Sequence, residues 1–158
     1  MAKTIFRTKY TPEGKRFLEE VEKLRTLEVH VGFQAGKASE KDGTDIVEVA
    51  AINEFGTSTI PARPFVKNSF ARHPDELKET CIQAVKMIEK GGTAEQAINM
   101  MGVFGKGLMQ REIRDGNWKP NAPSTIRKKG SDRPLIDTGT MRQSVNYVVA
   151  PHKKGSDK

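Results

Sequence analysis

Few residue patterns in this sequence have the types and spacing for chemistry. Asp137-Thr138-Gly139 is the kind of tripeptide in which an aspartate can pair with a second copy of itself and share one proton for acid–base work. Gly102, Gly105 and Gly107 form a G-x-x-G-x-G with Lys106 inside, the composition of a phosphate-cradling loop. His30, His73 and His152 are far apart and share no ligand spacing, and the acids around His73-Pro74-Asp75-Glu76 suit the first turn of a helix as well as a metal. Cys81 is the only cysteine, which excludes an intrachain disulfide and suits a reducing cytoplasm. No serine sits in a nucleophile elbow, and no carboxylate pair has a spacing that demands catalysis.

Each pattern is weakened by the elements around it. Leu135 to Thr140 resembles the active loop of retroviral-type aspartic proteases, but that fold needs several further strands downstream, and 19 residues follow Gly139. The simpler reading has Asp137 or Thr138 capping a short helix from Met141 to Ser144, with Gly139 allowing a tight approach. The three glycines fall inside a helical pattern with no preceding strand, so close helix packing or a kink is expected instead of nucleotide binding. Cys81 lies on an apolar helical stripe, where a small buried hydrophobe is expected. The expectation is therefore no catalytic residue, no metal and no cofactor.

The elements that position these residues are legible from caps and periodicity. Thr11-Pro12-Glu13 opens an amphipathic helix to about Arg25 with Phe17, Leu18, Val21 and Leu24 on one face. Glu28 to Gln34 alternates as a half-buried strand, with Val29, Val31 and Phe33 opposite His30. A polar loop spans 36–44, and Asp45 caps a second helix that stops at Gly56. Asn68 to Lys90 is helical with a break at His73-Pro74 and a stripe of Leu77, Cys81, Ala84, Val85 and Ile88. Thr93 with Gln96 is a capping box for a helix to about Asp115 carrying Ala97, Met101, Phe104, Leu108 and Ile113 inward. An arm spans 117–137, and Ser144 to Ala150 is a strand. Residues 1–150 thus form one α+β domain, a small antiparallel sheet packed by two or three helices, with the arm as the candidate for a further hairpin. Residues 151–158 read as a charged, flexible tail.

Charge concentrates in and beside the arm. The chain is 35% hydrophobic and 30% charged, with a formal net charge of +7. A thin core of this kind suits a subunit completed by its neighbours. Arg111, Arg114, Lys119, Arg127, Lys128, Lys129 and Arg133 face only Glu112, Asp115 and Asp132 between residues 111 and 133, an excess of four positive charges. Such clustering suggests a polyanionic partner, nucleic acid or an acidic protein surface; a solvated basic face is the alternative. Pro123 opens a short helix ending at Gly130 that would project Arg127, Lys128 and Lys129 together toward phosphates. Trp118, held extended by Pro120 and Pro123, is either a docking contact or an anchor for the arm on its own domain. The opening M-A-K-T-I-F-R-T-K-Y has no secretory signal pattern, and no segment reaches membrane-spanning length, so no membrane partner is expected.

Two blocks stand apart from the helical pattern. Ile52-Asn53-Glu54-Phe55-Gly56-Thr57, followed by Ile60-Pro61-Ala62-Arg63-Pro64-Phe65, frames a turn with aromatics and an arginine, the residue types of an assembly surface. Leu135, Ile136, Asp137, Thr138, Gly139, Met141, Arg142 and Ser144 form an L-I-D-T-G-x-M-R-x-S run. Together these blocks resemble the neck and tail-completion proteins of tailed bacteriophages, also called virion-morphogenesis or head–tail joining proteins. The resemblance covers roughly Glu48 to Phe70 and Asn117 to Val149. It implies a non-enzymatic virion subunit assembled in the bacterial host cytoplasm and located at the neck or tail top. Its partners would be copies of itself in a ring, neighbouring neck and tail proteins, and packaged DNA met nonspecifically. A tail terminator capping the tube and a nonspecific DNA-binding module are the alternatives. On this reading Phe55, Arg63, Pro64 and Phe65 form one subunit contact and Trp118, Pro120, Asp137 and Arg142 the other. Lys119, Arg127, Lys128, Lys129 and Arg133 would line a lumen or meet an acidic partner.

Overall fold

The computed structural model describes residues 9–153. The order is α1 (Pro12–Leu24), β1 (Leu27–Gly32), α2 (Ile46–Phe55), α3 (Phe65–Ala71), α4 (Pro74–Glu89), α5 (Ala94–Asp115), α6 (Pro123–Lys129), α7 (Thr140–Ser144) and β2 (Asn146–Pro151). The class is α+β, as the sequence implies. The arm adds helix α6 and not a hairpin, so the sheet among the described residues has two strands.

The sheet is antiparallel and joins the two ends of the domain, from Leu27 opposite Pro151 to Gly32 opposite Asn146. Two strands alone are marginal in water and need a helix across one face. The 22-residue α5 supplies it, touching both strands as well as α1, α3, α4 and α7. Its start is the expected capping box, with Thr93 Oγ1 accepting from Gln96 N–H and Gln96 Oε1 from Thr93 N–H. Proline opens α1, where Thr11 caps, and Asp45 caps α2 by accepting from Val47 N–H at 2.8 Å. That bond, followed by a second from Gly36 N–H at 2.7 Å, lowers the Asp45 carboxyl below its ordinary range and ties the start of the 36–44 loop to α2.

Two apolar clusters share α5. Ile46, Ala50, Phe65, Met109, Ile113, Leu135, Met141 and Val145 form the larger, and Ala84, Ile88 and Ala97 the smaller, covered by Phe17, Val21 and Leu24 of α1. Helix α4 is rotated from the expected stripe: Thr80, Ala84 and Ile88 are buried, whereas Cys81 is exposed and Val85 lies largely in solvent. Thr80 can occupy the inner face because its hydroxyl donates to Glu76 O at 2.8 Å, so no polar atom is stranded.

The tail expected over residues 151–158 is corrected at its start. Pro151 closes β2, and His152 N–H donates to Thr26 O at 2.7 Å; residues 154–158 lie outside the described residues. No helix among the described residues is long and apolar enough to cross a membrane.

The helical glycines separate by direction. A Cβ on Gly102 would enter the Tyr147 ring, and one on Gly105 would stand 2.9 Å from Val31 Cγ2, so both let α5 lie close on the sheet, not on another helix. Gly107 faces open space. Gly107→Ala should therefore stabilise by about 0.5–1 kcal/mol through helix propensity. Gly102→Ala should destabilise by about 1–2 kcal/mol, overpacking exceeding the same propensity gain. Urea unfolding midpoints measure both, and shifts of the same sign would contradict this division of roles.

Candidate functional site

The turn from Asn53 to Phe65 is built by its own motif residues. Asn53 sits at the end of α2, where its backbone carbonyl accepts from Arg63 N–H at 2.7 Å and its Nδ2 donates to Val49 O at 2.8 Å. The Glu54 carboxylate accepts from Val66 N–H at 2.8 Å and Lys67 N–H at 3.1 Å, filling the free donors at the start of α3. Gly56 turns the chain with φ 74° and ψ 177°, and a Cβ there would stand 2.7 Å from Ala62 N and 2.8 Å from Ile60 O. The Thr57 hydroxyl accepts from Thr59 N–H and Ile60 N–H, while its own N–H donates to Ile60 O. Phe55 alone has no place in this framework: it is 80% exposed, the largest exposure among the described large hydrophobics.

Arg63 and Phe65 are not on that surface. Phe65 is fully buried and meets Phe33 edge to face with centroids 6.0 Å apart. Arg63 is 4% exposed, and its fork closes on the arm. Nε and Nη2 each donate to Lys119 O at 3.1 Å, Nη2 also reaches Asn121 Oδ1 at 3.1 Å and Pro120 O at 3.4 Å, and Nη1 reaches Asn53 Oδ1 at 3.3 Å. All these acceptors are neutral amide oxygens. Burial accordingly lowers the Arg63 pKa from the usual arginine value, and the positive charge is solvated by dipoles instead of cancelled by an acid. The expected Phe55–Arg63–Phe65 patch is corrected to Phe55, with Ile60 partly exposed nearby in the chain; Pro64 is half-buried. Sequence reasoning took Arg63 for a surface contact because its acceptors come from residues 119–121.

The arm is fastened at both ends. Trp118 packs against the larger core and would collide with a Cβ on Gly116, which is the anchoring alternative; its Nε1 is buried without a protein acceptor. Leu135 enters the same core at the far end with φ 62°, the one positive φ at a non-glycine residue among those described. Between them α6 stops at Gly130 in the left-handed region, and Asn121 Nδ2 donates to Arg133 O at 3.4 Å across the base. The stretch from Gly116 to Ala122 has no helix or strand, both of these residues lie in the extended region, and the chain turns into α6 at Pro123.

The basic cluster divides into paired and solvent-facing cations. Arg111 donates to Glu76 at 2.8 Å, and Arg114 reaches Asp115 at 2.7 Å. Arg111 is the main cause of the depressed Glu76 pKa, and His73 shares hydrogen bonds with both residues, so it is taken up in a surface cluster. Lys119, Arg127, Lys128 and Arg133 are exposed, with Asp42 near Lys128 and Asp115 near Arg133. Lys129 closes α6, and its side chain lies outside the described residues.

The Asp-Thr-Gly stretch precedes α7. The N-cap position is Gly139 at φ 83°, not Asp137 or Thr138, but the Thr138 hydroxyl one residue earlier accepts from Thr140 N–H, the first of α7, at 3.2 Å and donates to Glu40 at 3.3 Å. Asp137 is exposed, and Arg142 is half-buried with its carbonyl accepting from Gln110. Pro120 is exposed at the mouth of the Arg63 clamp. No group of three or more His, Cys, Asp or Glu among the described residues could hold a metal ion. Compared with protein-family models, with curated proteins and with solved structures, the chain finds no match.

Proposed function

We propose that this chain is a non-enzymatic structural subunit of a tailed-phage virion, forming a ring at the neck that completes the tail and joins it to the DNA-filled head. The observation that carries the reading is the division of labour in Asn53-Glu54-Phe55-Gly56-Thr57. Four of these residues hold the turn, and the fifth is an aromatic held out in solvent. An exposed aromatic presented by a hydrogen-bonded turn suits the anchor of an interface. The resemblance of both sequence blocks to neck and tail-completion proteins supplies the setting. The lobe of Lys119, Arg127, Lys128 and Arg133 would face either packaged DNA in the lumen or an acidic neighbouring ring.

Electron microscopy of lysates from a phage lacking the gene tests this. Full heads beside separate tails of normal length support the joining role, and overlong tails support a terminator that caps the tube. Intact, infectious particles would remove the virion reading and leave nonspecific DNA binding, whose affinity should collapse as salt rises.

A further inference from the structure

The exposed aromatic has a counterpart on the same chain. A groove of about 340 Å³ opens between α4, α5 and β1, with apolar walls from Val29, Phe70, Leu77, Cys81, Met101 and Phe104. None of these six is buried, so the groove is unfilled apolar surface. Phe55 and the groove lie at opposite ends of α3. Glu54 caps the first turn of α3, whereas Phe70 lines the groove from its last turn, about 10 Å further along a seven-residue helix. A knob at one end and a hole at the other cannot meet within one molecule, but they meet between successive copies, the heterologous arrangement that closes into rings.

The charges beside the two features are complementary. Lys67 and Lys119, both exposed, belong to the hydrogen-bonded framework that carries Phe55: the Lys67 N–H donates to Glu54, and the Lys119 carbonyl accepts from Arg63. The first two turns of α4, which supply Leu77 and Cys81 to the groove, expose Asp75, Glu76 and Glu79 against Lys78. Glu76 is engaged by Arg111, which leaves Asp75 and Glu79 facing solvent. We propose that Phe55 of one copy seats in the α4–α5–β1 groove of the next, with Lys67 and Lys119 beside Asp75 and Glu79. This rests on the reading above that the chain assembles with itself, and it names the surfaces that do so.

Cys81, the single native cysteine, lines the groove and serves as a reporter. Ser58→Cys places a second thiol beside the knob while keeping the Phe55 ring, and its exposure means the fold is not at stake. Treated with a short bis-maleimide, this variant should form a ladder of three or more linked copies, because each molecule offers one thiol to each neighbour. Ser58→Cys combined with Cys81→Ser should stop at dimers. Independently, Phe55→Ser should weaken self-association about tenfold or more. Charge reversal at Lys67 and Lys119 should weaken it as well, and simultaneous reversal of Asp75 and Glu79 should restore it. If the native chain sediments as an oligomer while Ser58→Cys stops at dimers, the proposed contact is wrong and the ring reading survives. If the native chain is a monomer at every concentration and no ladder forms, both fall.

Discussion

Gly56→Ala should lower stability by about 3 kcal/mol. Two costs add at this position. The backbone lies at φ 74° and ψ 177°, a region that only glycine adopts freely. The new Cβ would also stand 2.7 Å from Ala62 N and 2.8 Å from Ile60 O, both backbone atoms that cannot swing aside. For a domain of this size the melting temperature should fall by about 6–12 °C. A loss below about 1 kcal/mol would show that the 56–62 turn relaxes cheaply, and the rigid presentation of Phe55 would then have no support. Phe55→Ser is the natural control, since it removes an exposed ring and should leave the melting temperature nearly unchanged.

Arg63→Ala should cost about 3 kcal/mol as well, by a different route. The loss leaves Lys119 O, Pro120 O and the Asn121 and Asn53 amide oxygens without the donors that now satisfy them. Much of the damage should be local, because the clamp joins the arm to the domain. Tryptic cleavage within residues 119–133 should accelerate at least about tenfold, which corresponds to about 1.4 kcal/mol of lost protection. Arg63→Lys should recover little, since an ammonium cannot reach backbone carbonyls on both sides of a planar fork. Unchanged cleavage in Arg63→Ala would mean that Trp118 and Leu135 hold the arm unaided.

The contrast between these two residues explains what the sequence made legible. Helix starts at Thr11-Pro12, Asp45 and Thr93 with Gln96 were readable because a cap is a local device, with donor and acceptor within three residues. The α5 glycines were readable as a group, but their directions were not: only the arrival of Tyr147 from β2 distinguishes Gly102 from Gly107. In α4 two apolar stripes compete, and the one containing Thr80 wins because a hydroxyl satisfied within its own helix can be buried. Arg63 and Phe65 lie in a proline-bounded turn with no periodicity, so nothing nearby in the sequence says that one is core and the other a clamp. Of the candidate surface, Phe55 and the arm cations Lys119, Arg127, Lys128 and Arg133 are exposed. The rest of the first motif is scaffold.

The sheet carries a consequence for how the molecule is made. Strand β1 is complete at Gly32, yet every partner it has in the sheet lies between Asn146 and Pro151. During synthesis β1 must wait, with Val29 and Val31 uncovered, while more than a hundred residues follow it. Pairing of strands so distant in sequence is slow relative to helix formation. The Tyr147 ring that fills the notch at Gly102 arrives in the same late step. Val29 and Val31 also line the groove proposed to receive a second copy. A growing chain would thus be unable to present a finished groove to its neighbours, and recruitment into an assembly would be restricted to molecules translated past residue 151.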